Sequence, residues 1–485
     1  MMAPHQDIAD NTTLIGSSIS RSIATPSVKE DIATKTTSEI QKPTSDVLHV
    51  VDSRTGSYYN IPITNNAITA SDLKHITAPA GIYEADQNEK GLRVYDPGFS
   101  NTAVMRSEIT YIDGLKGIIQ YRGYSIDQIV GRKGFYDTLH LLIWGRWPSS
   151  EERAKLQVNI NSVPLPGKAV FDVIRSFPRE GSIMGMIIAG LSALQSTQMN
   201  RVPAHEAKTI FLGEPSVIDD EIINFVSRFL VITAVAYTHH SNRRFNNPRP
   251  DLSYIENWFY MTNHVDPHTG LPNPRYVDAF ERLWVVIADH EMTCSTAALL
   301  HTASALPDLI SSIISALSAM YGPLHGGAIE VAYKQIEEIG SIERIPLKLS
   351  RVKEHKERLY GYGHRVYRVS DPRYVFIKHV LDDLQDEIAQ DPLLKVAFEL
   401  DRIAQEDEYF ISRKLKPNAD LFAAFAYKAM GFPPEVILPI SMLSRAQGFL
   451  AHWKEAMSGN VHIWRPSQIY QGKLNLTLVD DGLPS

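Results

Sequence analysis

YVDAFERLWVVIADH, residues 276–290, decides the fold class. Val277, Phe280, Leu283, Trp284 and Ile287 recur at steps of three and four, which places them on one face of an α-helix, and His290 falls on that same face. Working outward, a second helix follows Pro307, with Ile310, Ile313, Ile314 and Leu317 inward. It must break at Gly322-Pro323, because proline lacks the N–H and clashes with the preceding turn. A third begins after His325-Gly326-Gly327 and carries Ala332, Ile336 and Ile339. Upstream the period shortens to two. VLHVVDSRTGSYYNIPI (47–63) reads as a hairpin, and ITYIDGLKGIIQYRG (109–123) as strand, turn, strand. The expectation is a mainly α fold with a small N-terminal β-rich part, and no fixed-period repeat is visible. Residues 1–45, rich in Ser, Thr, Asp and Ile, read as a disordered tail.

The 485 residues exclude a single small module, and 44% apolar with 21% charged residues is ordinary globular composition. With 48 basic against 55 acidic residues the net charge is −7, so no long-range attraction draws in nucleic acid or an anionic membrane. An anionic substrate must be gripped by local arginines. The single cysteine, Cys294, makes neither an intramolecular disulfide nor a multi-cysteine metal site and suits a reducing compartment. The longest uncharged run, Gly181 to Asn200, has its apolar part from Ile183 to Leu194, short of the roughly 18 residues that span a bilayer, and no transmembrane helix is expected. The N-terminus shows no signal-peptide core and the C-terminus no Ser-Lys-Leu, which makes the cytoplasm the expected location.

Three histidines stand beside glycines, charges or helix breaks: His290 in Asp289-His290-Glu291, His325 before Gly326-Gly327, and His364 in Gly361-Tyr362-Gly363-His364-Arg365. Each also has a structural reading, His290 as a hydrogen-bonded core residue and His364 as a turn residue. His325 precedes a helix whose N-terminal end disfavours imidazolium, and a neutral imidazole can donate a hydrogen bond to a developing enolate oxygen. Asp420, between Pro417-Asn418-Ala419 and the apolar run Leu421–Tyr427, is either a desolvated base or the N-cap of the next helix. Arg373, Arg445 and Arg465 lie in apolar or proline-containing surroundings. A partly buried guanidinium needs an anion, either an internal carboxylate or a bound one. No Walker motif, no dinucleotide GxGxxG and no HExxH appears, and His239-His240 is a weak metal signal, so no metal is expected.

Eight motifs in order, ITYIDGLKGIIQYRGYSID (109–127), LSYIENWFYM (252–261), ADHEMTCST (288–296), GPLHGGAIE (322–330), GYGHRVYRVSDPR (361–373), PNAD (417–420), SRAQGFLAHWKE (444–455) and RPSQIYQG (465–472), resemble the citrate synthase family, and the GPLHGGA and GHRVYRVSDPR forms resemble its bacterial-type branch. The resemblance implies a helical dimer with a large domain (124–323 and 433–485) and a smaller one (324–432) that closes over substrate, preceded by a β-rich segment (46–123). It implies condensation of an acyl-CoA with oxaloacetate, CoA thioester as co-substrate and no tightly bound cofactor. Asp420 would abstract the α-proton, His325 would hold the thioester carbonyl, and His364 would polarise the ketone. His290, Arg373 and Arg445 would bind oxaloacetate, with Arg465 supplied across the dimer interface and Arg368 reaching a CoA phosphate. Ile287 and Thr293 around His290, and Leu421-Phe422-Ala423-Ala424 after Asp420, depart from the family pattern toward a more apolar site. A buried methylene contributes about 0.8 kcal/mol, so a longer acyl chain is the expectation, as in alkylcitrate-forming enzymes of fungal specialised metabolism. An ordinary citrate synthase, a 2-methylcitrate synthase and a catalytically silent dimeric scaffold are the competing readings.

Overall fold

The computed structural model describes residues 46–79, 90–473 and 476; the tail read over 1–45 lies outside the described residues. Two compact units divide the chain, one spanning Ala103–Tyr470 and the other taking the flanking residues up to Thr102 and from Gln471. In the flanking unit, β1 (Val47–Asp52), β2 (Ser57–Thr64) and β3 (Ala67–Ile68) form an antiparallel sheet, with Val47 opposite Pro62 and Asp52 opposite Ser57. In the main unit, β4 (Thr110–Asp113), β5 (Ile118–Tyr121) and β6 (Tyr124–Ser125) form a second one. The stretch read as one β-rich segment over 46–123 therefore holds one whole three-stranded sheet and two strands of a second, which β6 completes just beyond it and which belongs to the body that carries the site.

The rest of the main unit is helical. The helices that build or support the site, numbered in chain order, are α1 (Ile183–Ser196), α2 (Pro215–His240), α3 (Pro274–Ile287), α4 (Cys294–Ala303), α5 (Leu309–Met320), α6 (Ala328–Ile339), α7 (Pro372–Asp383), α8 (Pro392–Glu406), α9 (Asp420–Ala429) and α10 (Ile437–Ser458). Asn273 caps α3 by accepting from the Arg275 amide, and Pro274 stands at its first turn, where a missing N–H costs nothing. Phe280, Leu283 and Trp284 are buried as the periodicity requires. The helix ends at Ile287, however, so His290 leaves the apolar face and enters a turn. Two features end it: the Asp289 carboxylate accepts from the Glu291 amide, and Glu291 adopts φ +56, which helical backbone forbids.

Helix α5 stops at Met320 and α6 starts at Ala328, with Ile310, Ile313, Leu317, Ala332, Ile336 and Ile339 buried. Between them Gly326 and Gly327 are required by close approach. A Cβ on Gly326 would lie 2.7 Å from the Met320 side chain, and one on Gly327 would lie 2.8 Å from the Tyr321 carbonyl oxygen. This tight crossing holds His325 against the N-terminal end of α4.

Helix α10 is the axis of the core, packed against α2, α3, α4 and α6 and buried along most of its length. Helix α2 is long and apolar enough to cross a membrane by length and composition, but 72% of its apolar window is buried inside the protein. Helices α6 and α7 both pack on α9, which brings the residues following His325, His364 and Asp371 around the start of α9.

Candidate active site

Segments far apart in sequence converge here. His290 is buried, its Nε2 3.0 Å from the Tyr367 hydroxyl, and its ring centroid lies 5.3 Å from that of His364. The His364 and Tyr367 rings are 4.6 Å apart. Tyr121 locks the turn that carries His290, its hydroxyl 3.1 Å from the Asp289 carbonyl oxygen and 3.3 Å from that of Val286. The Asp289 carboxylate, fully buried, accepts from the Thr110 hydroxyl at 2.6 Å and meets His452 of α10 at 3.3 Å. Burial opposes the charged form of Asp289, yet His452 and Arg445 hold its pKa below the usual carboxylate range.

The tautomers of the two other histidines follow from their partners. At His325, Nε2 faces the Ser295 amide at 3.3 Å and the Ser295 hydroxyl at 2.8 Å. An amide only donates, so Nε2 accepts and the neutral ring carries its proton on Nδ1. At His364, Nδ1 accepts from the amides of Val366 at 3.0 Å and Tyr367 at 3.3 Å, so its proton sits on Nε2. Both rings are kept neutral. Burial, with Arg445 and Arg373 nearby, brings His325 to about 4, and burial with Arg373, opposed by Asp371, brings His364 to about 4. Burial is the largest cause at both rings, and guanidinium charge adds to it. His290 is pushed well down by burial, then by Arg373, Arg445 and His364.

Asp420 is the first residue of α9 but not its cap. The preceding Ala419 caps it without a side-chain bond, and Asn418 accepts from the Asp420 amide at 2.9 Å. No described residue hydrogen-bonds the Asp420 carboxylate, which remains half-buried. Burial raises its pKa to about 6, Arg373 opposing and Asp371 adding to the rise. Asn418 also donates to the Gly363 carbonyl at 2.9 Å and so ties the His364 loop to Asp420.

The three arginines part company. Arg373 holds an internal carboxylate, with Nε and Nη2 on the two oxygens of Asp371 at 3.0 and 2.7 Å. Burial opposes its charge, and the Asp371 charge and hydrogen bonds overcome that and raise its pKa. Arg445, buried on α10, has no such bond: Nε and Nη1 are sealed from solvent and have no partner among the described residues. Burial lowers its pKa, Asp289 opposing and Arg373 adding. Arg465 is exposed and bonded to none of the site residues, and Arg368 is exposed, its backbone amide donating to Gly114 at 2.9 Å. Ser295, Asn418, Tyr367 and the Asp289–His452 pair carry no role in the sequence reading. Only Ser295, beside a helix start in ADHEMTCST, leaves a local trace there.

The family model "Citrate synthase, C-terminal domain" matches residues 98–467. The chain belongs to the citrate synthase family. It is 66% identical over 444 residues to the "Citrate synthase-like protein oryE" of Aspergillus oryzae, covering 91% of this chain and 99% of that one. It is 37% identical over 430 residues to the "Alkylcitrate synthase tstJ" of Talaromyces stipitatus, covering 88% and 94%. Among solved structures it is similar to the citrate synthase of Thermoplasma acidophilum in ternary complex with carboxymethyl coenzyme A and oxaloacetate, with TM-score 0.71, 28% identity and coverage of 79% and 97%. With the citrate synthase family comes the reaction class, C-acyl transfer from an acyl-CoA co-substrate to oxaloacetate giving a citrate-type product.

Two departures from the family pattern acquire a place. Thr293 caps α4 by accepting from the Thr296 amide at 3.2 Å, a task that Asn also performs. Leu421 lies against Gly361, and Phe422 against Phe398 and Tyr374, at ring distances of 4.9 and 5.8 Å. The Leu-Phe part of the departure therefore fills the fold and does not widen the site.

Proposed function

We propose that this citrate-synthase-type enzyme joins an acyl-CoA longer than acetyl to oxaloacetate and releases an alkylcitrate and CoA. The observation that carries the oxaloacetate reading is Arg445. A buried guanidinium with no internal carboxylate on it carries a desolvation cost of several kcal/mol, and a bound carboxylate offsets it with charge-assisted hydrogen bonds. Arg373, its Nη1 not taken by Asp371, and His290 complete the grip on the dicarboxylate.

Asp420 removes the α-proton of the thioester, since a carboxylate held near 6 and free of hydrogen bonds is a stronger base than an ordinary one. The Nδ1–H of His325 donates to the thioester carbonyl oxygen as enolate charge develops there. The Nε2–H of His364 polarises the oxaloacetate ketone and passes its proton to the new alkoxide. Water then cleaves the citryl-type thioester. Segment 324–432 closes over the bound substrates and keeps water out until the carbon–carbon bond exists.

The chain acts as a homodimer, with Arg465 of the partner subunit reaching the second carboxylate, and Arg368 meets a CoA phosphate. The single cysteine favours the cytoplasm as its location, and similarity to a named alkylcitrate synthase supports a role in specialised metabolism. The test is a panel of acyl-CoAs from acetyl to decanoyl with oxaloacetate, followed by free-thiol release and product mass. Preference for six or more carbons is expected. Preference for acetyl or propionyl would make it a citrate or 2-methylcitrate synthase, and no turnover with any of them would favour the scaffold.

A further inference from the structure

Asp401, in the middle of α8, is 3% exposed and forms no ion pair with any described residue. A buried carboxylate in that position must be held by hydrogen bonds. Two phenols supply them. The Tyr362 hydroxyl donates to Oδ1 at 2.5 Å, and the Tyr374 hydroxyl donates to Oδ2. Lys378 stands behind the second phenol, its Nζ 3.3 Å from the Tyr374 hydroxyl. Burial, and then Asp401 itself, raise both phenols above their ordinary pKa, so they remain donors.

The two tyrosines anchor different parts of the site. Tyr362 lies two residues before His364, between Gly361 at φ +85 and Gly363 at φ +80, in a stretch with no regular structure beyond a bridge to Pro417. Tyr374 directly follows Arg373 in the first turn of α7. One carboxylate thus pulls on the segment that carries the ketone-polarising ring and on the helix start that carries a carboxylate-binding guanidinium. Its two oxygens set the span between them. Misplacement of a reacting group by about 1 Å costs on the order of a hundredfold in rate, so such a span has catalytic weight without touching substrate.

We propose that Asp401 is a positioning residue for oxaloacetate: by accepting from Tyr362 and Tyr374 together it fixes the separation of His364 and Arg373, an inference that rests on the oxaloacetate reading of those two residues.

The test compares Asp401→Leu, Asp401→Asn and the triple change Asp401→Leu, Tyr362→Phe, Tyr374→Phe, measuring the KM for each substrate, kcat and Tm. Asp401→Leu should raise the oxaloacetate KM at least about tenfold and leave the acyl-CoA KM within about twofold. Asp401→Asn, which still accepts from one phenol and donates to the other oxygen, should stay within about threefold of wild type. The triple variant removes the two stranded phenols together with the carboxylate, so most of the Tm loss should recover while oxaloacetate KM stays high. An oxaloacetate KM that follows Tm, restored in the triple variant or unmoved in Asp401→Leu, would overturn the positioning role. A wild-type enzyme that neither binds nor turns over oxaloacetate would overturn the parent reading instead, and this inference with it.

Discussion

The helix α10 side of the site and the irregular stretch from Leu359 to Asp371 solve the same problem in opposite ways. On α10 the backbone is satisfied by its own hydrogen bonds, so a side chain can keep polar atoms to spare, as Arg445 does with Nε and Nη1. The irregular stretch must use its neighbours' polar groups to hold itself. Gln335 accepts from the Tyr360 amide, Asn418 donates to Gly363, and His364 accepts two amides from its own turn. One region therefore keeps charge for a ligand, and the other commits its polar groups to setting a tautomer. Arg445 and Arg373 condense the contrast into two buried guanidiniums, one unpartnered and one bound by Asp371.

Removing each guanidinium tests that contrast most strongly. Arg445→Leu should weaken oxaloacetate binding by about 100-fold or more while leaving the denaturation midpoint unchanged or raised, because no hydrogen-bonded partner is stranded and Asp289 keeps His452. Arg373→Leu leaves the buried Asp371 without its cation, held only by the amides of residue 373 and Ala419, and should cost about 3–5 kcal/mol of stability in a denaturant titration. Equal stability losses in the two variants would erase the distinction.

A smaller effect is expected from pH. As the proposed base Asp420 has to be ionised, so kcat/KM for the acyl-CoA should fall about tenfold per pH unit below about 6, and the histidines, at about 4, should add nothing until lower pH. The stability sign is the reverse of the usual carboxylate case. Between about 4 and about 6 the folded protein retains a proton that the unfolded chain has released, so Asp420 lowers stability as pH rises through that window. Asp420→Asn should melt higher than wild type above pH 6, with the gap closing toward pH 4. A gap that widens on acidification would mean that the carboxylate is stabilised in the fold.

The smallest change expected is at Thr293. Thr293→Asn keeps the α4 cap and should shift stability by no more than a few tenths of a kcal/mol, whereas Thr293→Ala should cost about 1 kcal/mol. Parity between the two would show that the cap contributes nothing to the placement of Ser295 under His325.

Much of this contrast was legible where it is local. Periodicity located α3, α5 and α6, and Asp371 stands two residues from Arg373 in the quoted Asp-Pro-Arg. Periodicity also ran too far: Val285, Val286 and Ile287 continue the apolar pattern, and nothing at that scale announces the Asp289–Glu291 turn that pulls His290 off the helix. Helix α2 escaped a search for uncharged runs because Asp219, Asp220, Glu221 and Arg228 interrupt it. What stayed hidden is set by packing between distant segments. Asp289 meets His452 across 163 residues, Ser295 meets His325 across 30, and Asp401 joins Tyr362 to Tyr374. The lack of an internal partner at Arg445, on which the oxaloacetate reading rests, has no signature in one dimension.

The central claim is that Asp420 is the base of an oxaloacetate-dependent acyl-CoA condensation. It is tested most directly by following free-thiol release from the preferred acyl-CoA with wild type and Asp420→Asn, with oxaloacetate binding measured by calorimetry in parallel. Thiol release that requires oxaloacetate in wild type and falls about 10³-fold in Asp420→Asn, with oxaloacetate still bound, is the predicted result. Undiminished CoA release by Asp420→Asn would contradict it.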